Sequence, residues 1–314
     1  MNESLVVETL VAAVALGTPL VWATVGEIIT ERAGILNLGV NGMMLVGAVA
    51  GFWANYEFEN VWLGVIAALI AGALIASLHA ITSVTLRVNQ IVSGLALAIL
   101  GGGLSAYIGQ AAGLVGEPPV TEFKPIITGG IAEWPIVGPL LFGHDPLVYL
   151  SWIFVGVAAW YLFRTKLGLS LRAVGEDPAS ADSAGVNVTA VRYIHTMIGG
   201  AAAGIGGAYF SLRLVPSWQD DMVAGRGWIA IALVIFAVWR PWRALFAAYL
   251  FGAVERIALV IQVEYPNVDV PAQILAMLPF VLTIVVMLMT TSGARAKFFG
   301  APAALGIPYN RESR

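Results

Sequence analysis

The chain alternates long apolar runs with short polar clusters. The first run extends from Leu5 to about Ile29, and others cover 35–56, 61–86, 90–113, 147–163, 192–213, 227–239, 243–262 and 272–290. About 20 apolar residues form a helix that crosses about 30 Å of hydrocarbon. The pattern therefore predicts an all-α polytopic membrane protein with about nine transmembrane helices, a single domain over 1–314. The first run lacks a basic leader and carries Glu3 and Glu8, so it reads as a retained span and not a cleaved signal. The apolar core 228–239 gives only about 18 Å of helix. It reads as a half-helix continued by irregular backbone lining a cavity, still counted as one of the nine crossings. The longest connection, 114–146, holds six prolines and reads as an ordered external loop.

Composition sharpens this picture. Charged residues make up 11% and apolar residues 59%, with a mean hydropathy of +0.85; an ordinary soluble domain carries about 25% charged residues. With the N-terminus outside and the C-terminus inside, 12 of the 16 basic residues fall on the cytoplasmic side. They include Arg32, Arg87, Arg172, Arg192 and Arg311, and the positive-inside rule favours this orientation. The loop 164–191 and the tail 291–314 are then cytoplasmic.

Several chemistries are excluded. There is no cysteine, hence no disulfide, thiolate metal site or cysteine nucleophile. None of Lys124, Lys166 and Lys297 follows a glycine, so no GxxxxGK[ST] phosphate loop exists. His79, His144 and His195 show no metal-ligand spacing. The net charge of −3, without a basic cluster, gives no footprint for nucleic acid. No cofactor, metal or catalytic residue is expected, and the chain does not read as an enzyme.

Polar groups inside the apolar runs are costly, so each needs a partner or a function. The second run opens Asn37-Leu38-Gly39-Val40-Asn41-Gly42, which places two amides four residues apart on one helical face. They fit either a solute path or capping near the membrane boundary. The fourth run opens with Asn89, Gln90 and Ser93, where capping by Asn89 competes with the same path reading. Glu255-Arg256 lies within the eighth run, as a structural ion pair with another helix or as a proton-coupling carboxylate. Glycine pairs at i, i+4 (Gly47/Gly51, Gly109/Gly113, Gly200/Gly204) predict close helix packing. In the 164–191 loop, Asp177 suits an N-cap, Pro178 the first helical position and Gly185 the C′ position. Between them a two-turn helix of small residues is predicted.

Taken together, four stretches resemble the motifs of ABC-importer permeases of the branched-chain amino acid/ribose type. They are Glu31–Met44 (ERAGILNLGVNGMM), Asn89–Leu97 (NQIVSGLAL), Leu171–Pro178 with Ala184–Val188 (LRAVGEDP…AGVNV), and Gly225–Ala230 (GRGWIA). The closest branch is similar to the simple sugar and nucleoside permeases. The resemblance runs from about residue 20 to 290, in the family's order. It implies a multi-pass subunit of the cell (inner) membrane that works with a separate ABC ATPase, a second homologous permease and an extracellular solute-binding protein. The two-turn helix after Asp177 would be the family's coupling helix, with Gly175, Glu176, Asp177, Pro178, Ala181 and Gly185 serving ATPase coupling. Asn37, Asn41, Asn89, Gln90, Ser93 and Glu255 are the candidates for the solute pathway. Asn41 stands where the branch commonly has a glutamate and Ala98 where it commonly has an asparagine. A neutral Asn41 suits a neutral hydrogen-bonding solute such as a nucleoside or simple sugar. The rival expectations are a branched-chain amino acid permease, and an ion-coupled secondary transporter using Glu255.

Overall fold

A computed structural model describes residues 3–118, 121–264, 271–291 and 300–311. Twelve α-helices occur among them: α1 (Glu3–Arg32), α2 (Val40–Phe58), α3 (Val61–Ala80), α4 (Gln90–Ala111), α5 (Val137–Phe142), α6 (Pro146–Arg164), α7 (Lys166–Glu176), α8 (Pro178–Ser183), α9 (Val188–Tyr209), α10 (Arg226–Phe236), α11 (Pro241–Glu264) and α12 (Ala272–Thr291). The only β-pairing among the described residues is an isolated bridge between Val115 and Trp218. A helix occupies each of the nine predicted runs. Among the described residues, five stretches are long and apolar enough to cross a membrane by length and composition: Leu5–Arg32, Val61–Thr85, Gln90–Ala111, Pro146–Arg164 and Pro241–Val263. α3 and α9 each end in one π turn, at Ile81–Thr85 and Phe210–Leu214.

Glycine sets the centre of the bundle. α9 packs on α1, α2 and α3. A Cβ on Gly204 would strike the Ala68 carbonyl of α3, and one on Gly47 of α2 would strike the backbone of Gly204. Three helix backbones thus meet at one point, as the spacing of small residues predicts. Gly113 is the exception: it faces open space at φ +67°, just past the end of α4.

Side-chain caps fix where the helices begin. Asn60 accepts from the N–H groups of Trp62 and Leu63 at 2.9 and 3.4 Å. Asp145 accepts from Leu147 and Val148 at 3.0 and 3.3 Å, at the start of α6. The second Asp145 oxygen accepts from the Tyr209 hydroxyl at 2.7 Å and lies 3.5 Å from Arg213 Nε, which ties α6 to the end of α9. In the 114–146 loop Ile126 N–H donates to the His144 carbonyl at 3.1 Å. Asn55 Nδ2 donates to the Thr121 carbonyl at 2.7 Å, so the loop is tied across itself and to α2. Burial holds the His144 imidazole below its usual pKa, and its Nε2 pairs with the Leu140 carbonyl at 2.8 Å.

Candidate functional site

The predicted site residues fall into three separate places. The first is the non-helical stretch between α1 and α2, a buried connection whose backbone polar groups all need partners. α2 begins at Val40, three residues after Asn37, so Asn37 and Asn41 do not share a helix face as expected. Asn37 is fully buried. Its backbone N–H and its Nδ2 donate to the two oxygens of Glu27 at 3.2 and 3.1 Å, while its Oδ1 accepts from Gly39 N–H at 3.0 Å. Gln90 Oε1 accepts from Leu36 N–H at 2.7 Å, and the Leu36 carbonyl faces His79 Nε2 at 3.1 Å. A carbonyl can only accept, so Nε2 carries the proton and Nδ1 is left to accept from Ser93 Oγ at 3.0 Å. Ser93 also meets Thr82 Oγ1 at 2.5 Å. Asn37, Gln90 and Ser93 therefore gather around Leu36. Gln90 Nε2 is buried there with no acceptor among the described residues. Asn89 stands apart, exposed, as the N-cap of α4 with bonds of 2.9 and 3.2 Å from Ile91 and Val92.

The second place is the junction of α2, α10 and α11. Asn41 Oδ1 accepts from Gly227 N–H at 3.2 Å, at the first turn of α10. Gly227 has no room for a side chain because a Cβ would meet the Asn41 backbone. The residue before it, Arg226, forms an ion pair with Glu255 of α11, not the neighbouring Arg256. The Arg226 guanidinium also lies 4.9 Å from the Phe210 ring centroid at the end of α9. Both charged side chains keep about a fifth of their surface exposed (22% and 21%). They line a cavity of about 240 Å³ between α10, α11 and α12, with Ile229, Ala258, Leu275 and Pro279 among its walls. Ala98 of α4 packs on Gly42 of α2, so of the two departures from the permease pattern Ala98 lies on the α2–α4 contact and Asn41 on the α2–α10 contact.

Helix geometry gives the depth of this junction. Thr24 Oγ1 donates to the Ala230 carbonyl at 3.3 Å, and Thr24 stands about 12 Å before the end of α1 at Arg32. Arg226 lies about one turn (~5–6 Å) further along. The start of α10 is thus near the middle of α1, which is 30 residues long. The other end of α10 returns to the α1 terminus, where Trp239 Nε1 donates to Glu31 Oε2 at 2.5 Å and Arg32 Nη2 donates to the Trp239 carbonyl at 3.3 Å. α10 is the half-length helix that the short apolar core predicted.

The third place is the connection 164–191. Asp177 accepts from Ala179 and Ser180 N–H at 3.0 and 3.1 Å, and from the Ser180 hydroxyl at 2.5 Å. These bonds, the Ser180 hydroxyl first, hold its carboxyl below the ordinary aspartate pKa. The cap is therefore intact at neutral pH and is lost as the pH falls through the acid range. Pro178 takes the first helical position. Gly185 stands at φ +86°, with Val186 N–H donating to the Ala181 carbonyl at 3.0 Å to close the helix end. Ala181 is 4% exposed and packs with Val174 and Val188, so it is not one of the surface positions of this helix; Ala179, Ser180 and Ser183 are. Gly175 lies against the Arg32 backbone, and Glu176 Oε2 accepts from Ala303 N–H at 3.3 Å.

Four groups escaped the sequence reading. Glu27 and Glu31, one turn apart on α1 and almost fully buried, hold the α1–α2 connection and the α10–α11 turn. His79 is completely buried in the Leu36 network. Arg226 stands in the GRGWIA stretch, where the sequence assigns it no ion-pair partner. An acidic pair four residues apart within an apolar run was the available signal for the first two. Nothing in the sequence indicates the partners of the others.

A bundle of apolar helices, five of them among the described residues long enough to span a bilayer, is the architecture of a polytopic membrane protein. Residues 9–288 match the family described as branched-chain amino acid transport system / permease component. The chain is 39% identical over 320 residues to a Haloferax volcanii protein provisionally named a glucose ABC transporter permease, covering 96% of this chain and 97% of the relative. It is 33% identical to the nucleoside ABC transporter permease protein NupC of Lactococcus lactis, over 93% of each chain. With the guanosine ABC transporter permease protein NupQ of Bacillus subtilis the identity is 32% over 96% of each. The chain belongs to this family of membrane permease components.

Proposed function

We propose that the chain is the permease subunit of an ATP-driven importer for nucleosides or simple sugars, and that its solute passes the Asn41–Arg226–Glu255 junction. The observation that carries the reading is the Arg226–Glu255 pair at the head of α10, beside a cavity and halfway along α1. The names of the relatives, for glucose, nucleosides and guanosine, supply the solute class. The helices of all nine runs cross the cell membrane with the N-terminus out and the C-terminus in. α10 crosses together with the irregular residues 215–225 before it, which answers its shortness. Arg32, Arg172 and Arg192 gather at the end of the bundle that carries α7 and α8, in keeping with a cytoplasmic face. ATP is hydrolysed in a partner chain that receives α8 in a groove, a second permease completes the pathway, and an extracellular binding protein delivers the solute.

A second reading, a branched-chain amino acid, has one observation in its favour: a zwitterion can exchange its two charges with the Arg226–Glu255 pair. Uptake decides between them. In cells lacking the gene and cells with it restored, the restored strain is expected to regain accumulation of labelled guanosine, adenosine, ribose or glucose, but not leucine. Recovery of leucine uptake alone would establish the amino acid reading and sink the proposal.

A further inference from the structure

Outside the transport junction, the densest unexplained set of contacts belongs to the segment Gly300–Arg311. Ala304 N–H donates to the Gly175 carbonyl at 2.9 Å, just before α8, and Ala303 N–H to Glu176 at 3.3 Å. Gly306 N–H donates to the Gly34 carbonyl at 3.2 Å, in the α1–α2 connection. Arg192 Nη1 of α9 donates to the Ile307 carbonyl at 3.2 Å, and Arg311 Nε lies 3.0 Å from Asp182 Oδ2 on α8 itself. Tyr309 packs on the small core formed by Val174, Ala181 and Val188. An α8 of six residues is too short to hold its shape alone. This strap and the caps of α8 together fix it to two transmembrane elements.

The strap also forms two open cavities of about 340 Å³ each with α8. One is bounded by Pro178, Ala179, Ala303 and Pro308. The other is bounded by Arg87, Arg192, Arg311 and Asp182, three cations against one carboxylate. Arg192 is 1% exposed, and its Nε and Nη2 have no acceptor among the described residues. Arg87 is exposed and carries no partner among those residues. Asp182 pairs with Arg311, so this wall keeps a positive charge at Arg87 and Arg192 that no carboxylate among the described residues answers.

We propose that Gly300–Arg311 is a second docking element for the ATPase chain. Together with α8 it forms one composite surface, and its cationic cavity accepts a carboxylate side chain from the ATPase. Through Gly34, it also passes the displacement of α8 to the connection that precedes Asn41. The inference rests on the reading of α8 as the ATPase contact, and the controls separate the two.

The test uses the transporter purified from its native membranes, with the amount of ATPase chain recovered per permease and the solute-stimulated ATP hydrolysis as readouts. Three variants are compared: a stop after residue 299, Arg87→Glu, and Ala179→Arg on the exposed side of α8. Arg87→Glu is expected to lower ATPase recovery about tenfold, the change that corresponds to roughly 1.4 kcal/mol for a repelled interfacial charge. Added salt should lower recovery with the native chain more steeply than with this variant. The shortened chain is expected to lose solute stimulation and most ATPase recovery. Arg87→Glu keeps the test decisive if the shortened chain fails to fold. Normal recovery and stimulation in Arg87→Glu, with Ala179→Arg uncoupled, would overturn the strap proposal alone. Normal behaviour in all three would overturn the reading of α8 as well. If Arg87→Glu leaves ATPase recovery intact and loses activity only in vesicles containing anionic phospholipid, the cavity serves a lipid headgroup and the proposal is wrong.

Discussion

Gly204→Leu is expected to abolish the assembled bundle, read as loss of the monodisperse protein in detergent and of all uptake. The reason is steric and local. At Gly204 the backbones of α2, α3 and α9 meet with no side chain between them, and a Cβ would collide with the Ala68 carbonyl. A flexible side chain can move away from such a collision, but a helix carbonyl cannot move without its helix. Overpacked cores ordinarily lose about 1–3 kcal/mol, and a contact made of backbone on both sides belongs to the upper tail of that range. Gly103→Ala is the matched control on α4. Nothing lies within 4 Å of a Cβ there, and alanine is the better helix former by about 1 kcal/mol in water. Normal assembly of Gly204→Leu would mean that the three helices do not approach as described.

The second large effect is expected at Arg226. Removing one member of a fully buried ion pair costs about 3–5 kcal/mol. The exposure of both side chains, about a fifth each, lowers the expected loss for Arg226→Ala to roughly 1–3 kcal/mol. Its transport should fall at least about tenfold, as a misplaced charge at the path raises the barrier by 1.4 kcal/mol or more. Glu255→Gln should behave alike. The double variant Arg226→Gln/Glu255→Gln separates two roles, because removing both charges leaves neither unpaired. Its thermal midpoint should return close to the native value while transport stays low. Recovery of both would make the pair a packing device and move the solute path elsewhere.

What the sequence conveyed and what it withheld follow from the range of the interactions. A helix in each of the nine runs was legible because a helix among apolar surroundings carries apolar residues along its length, and five of them are long enough to cross a membrane among the described residues. The half-length of α10 was legible for the same reason. α8 was legible because its start and stop are decided within ten residues by Asp177, Pro178 and Gly185. The roles of Asn37, Gln90 and Ser93 were not. Each is polar in an apolar run, which signals that a partner exists, yet the partners lie in other helices: Glu27 in α1, Leu36 in the connection, His79 in α3. The Trp239–Glu31 bond joins residues 208 positions apart. The burial of Ala181 was hidden because small residues suit both a flat exposed surface and a close contact, and the packing of α7, α9 and the strap decides between them.

The most direct test of the whole account is gentle affinity purification of the full chain from its native membranes, followed by mass spectrometry of what accompanies it. The account predicts an ABC ATPase chain and a second, different permease in stoichiometric amounts, with uptake that survives an uncoupler while ATP is maintained. Recovery of the chain alone, under conditions that keep other membrane complexes intact, together with uptake abolished by an uncoupler while ATP is maintained, would contradict it.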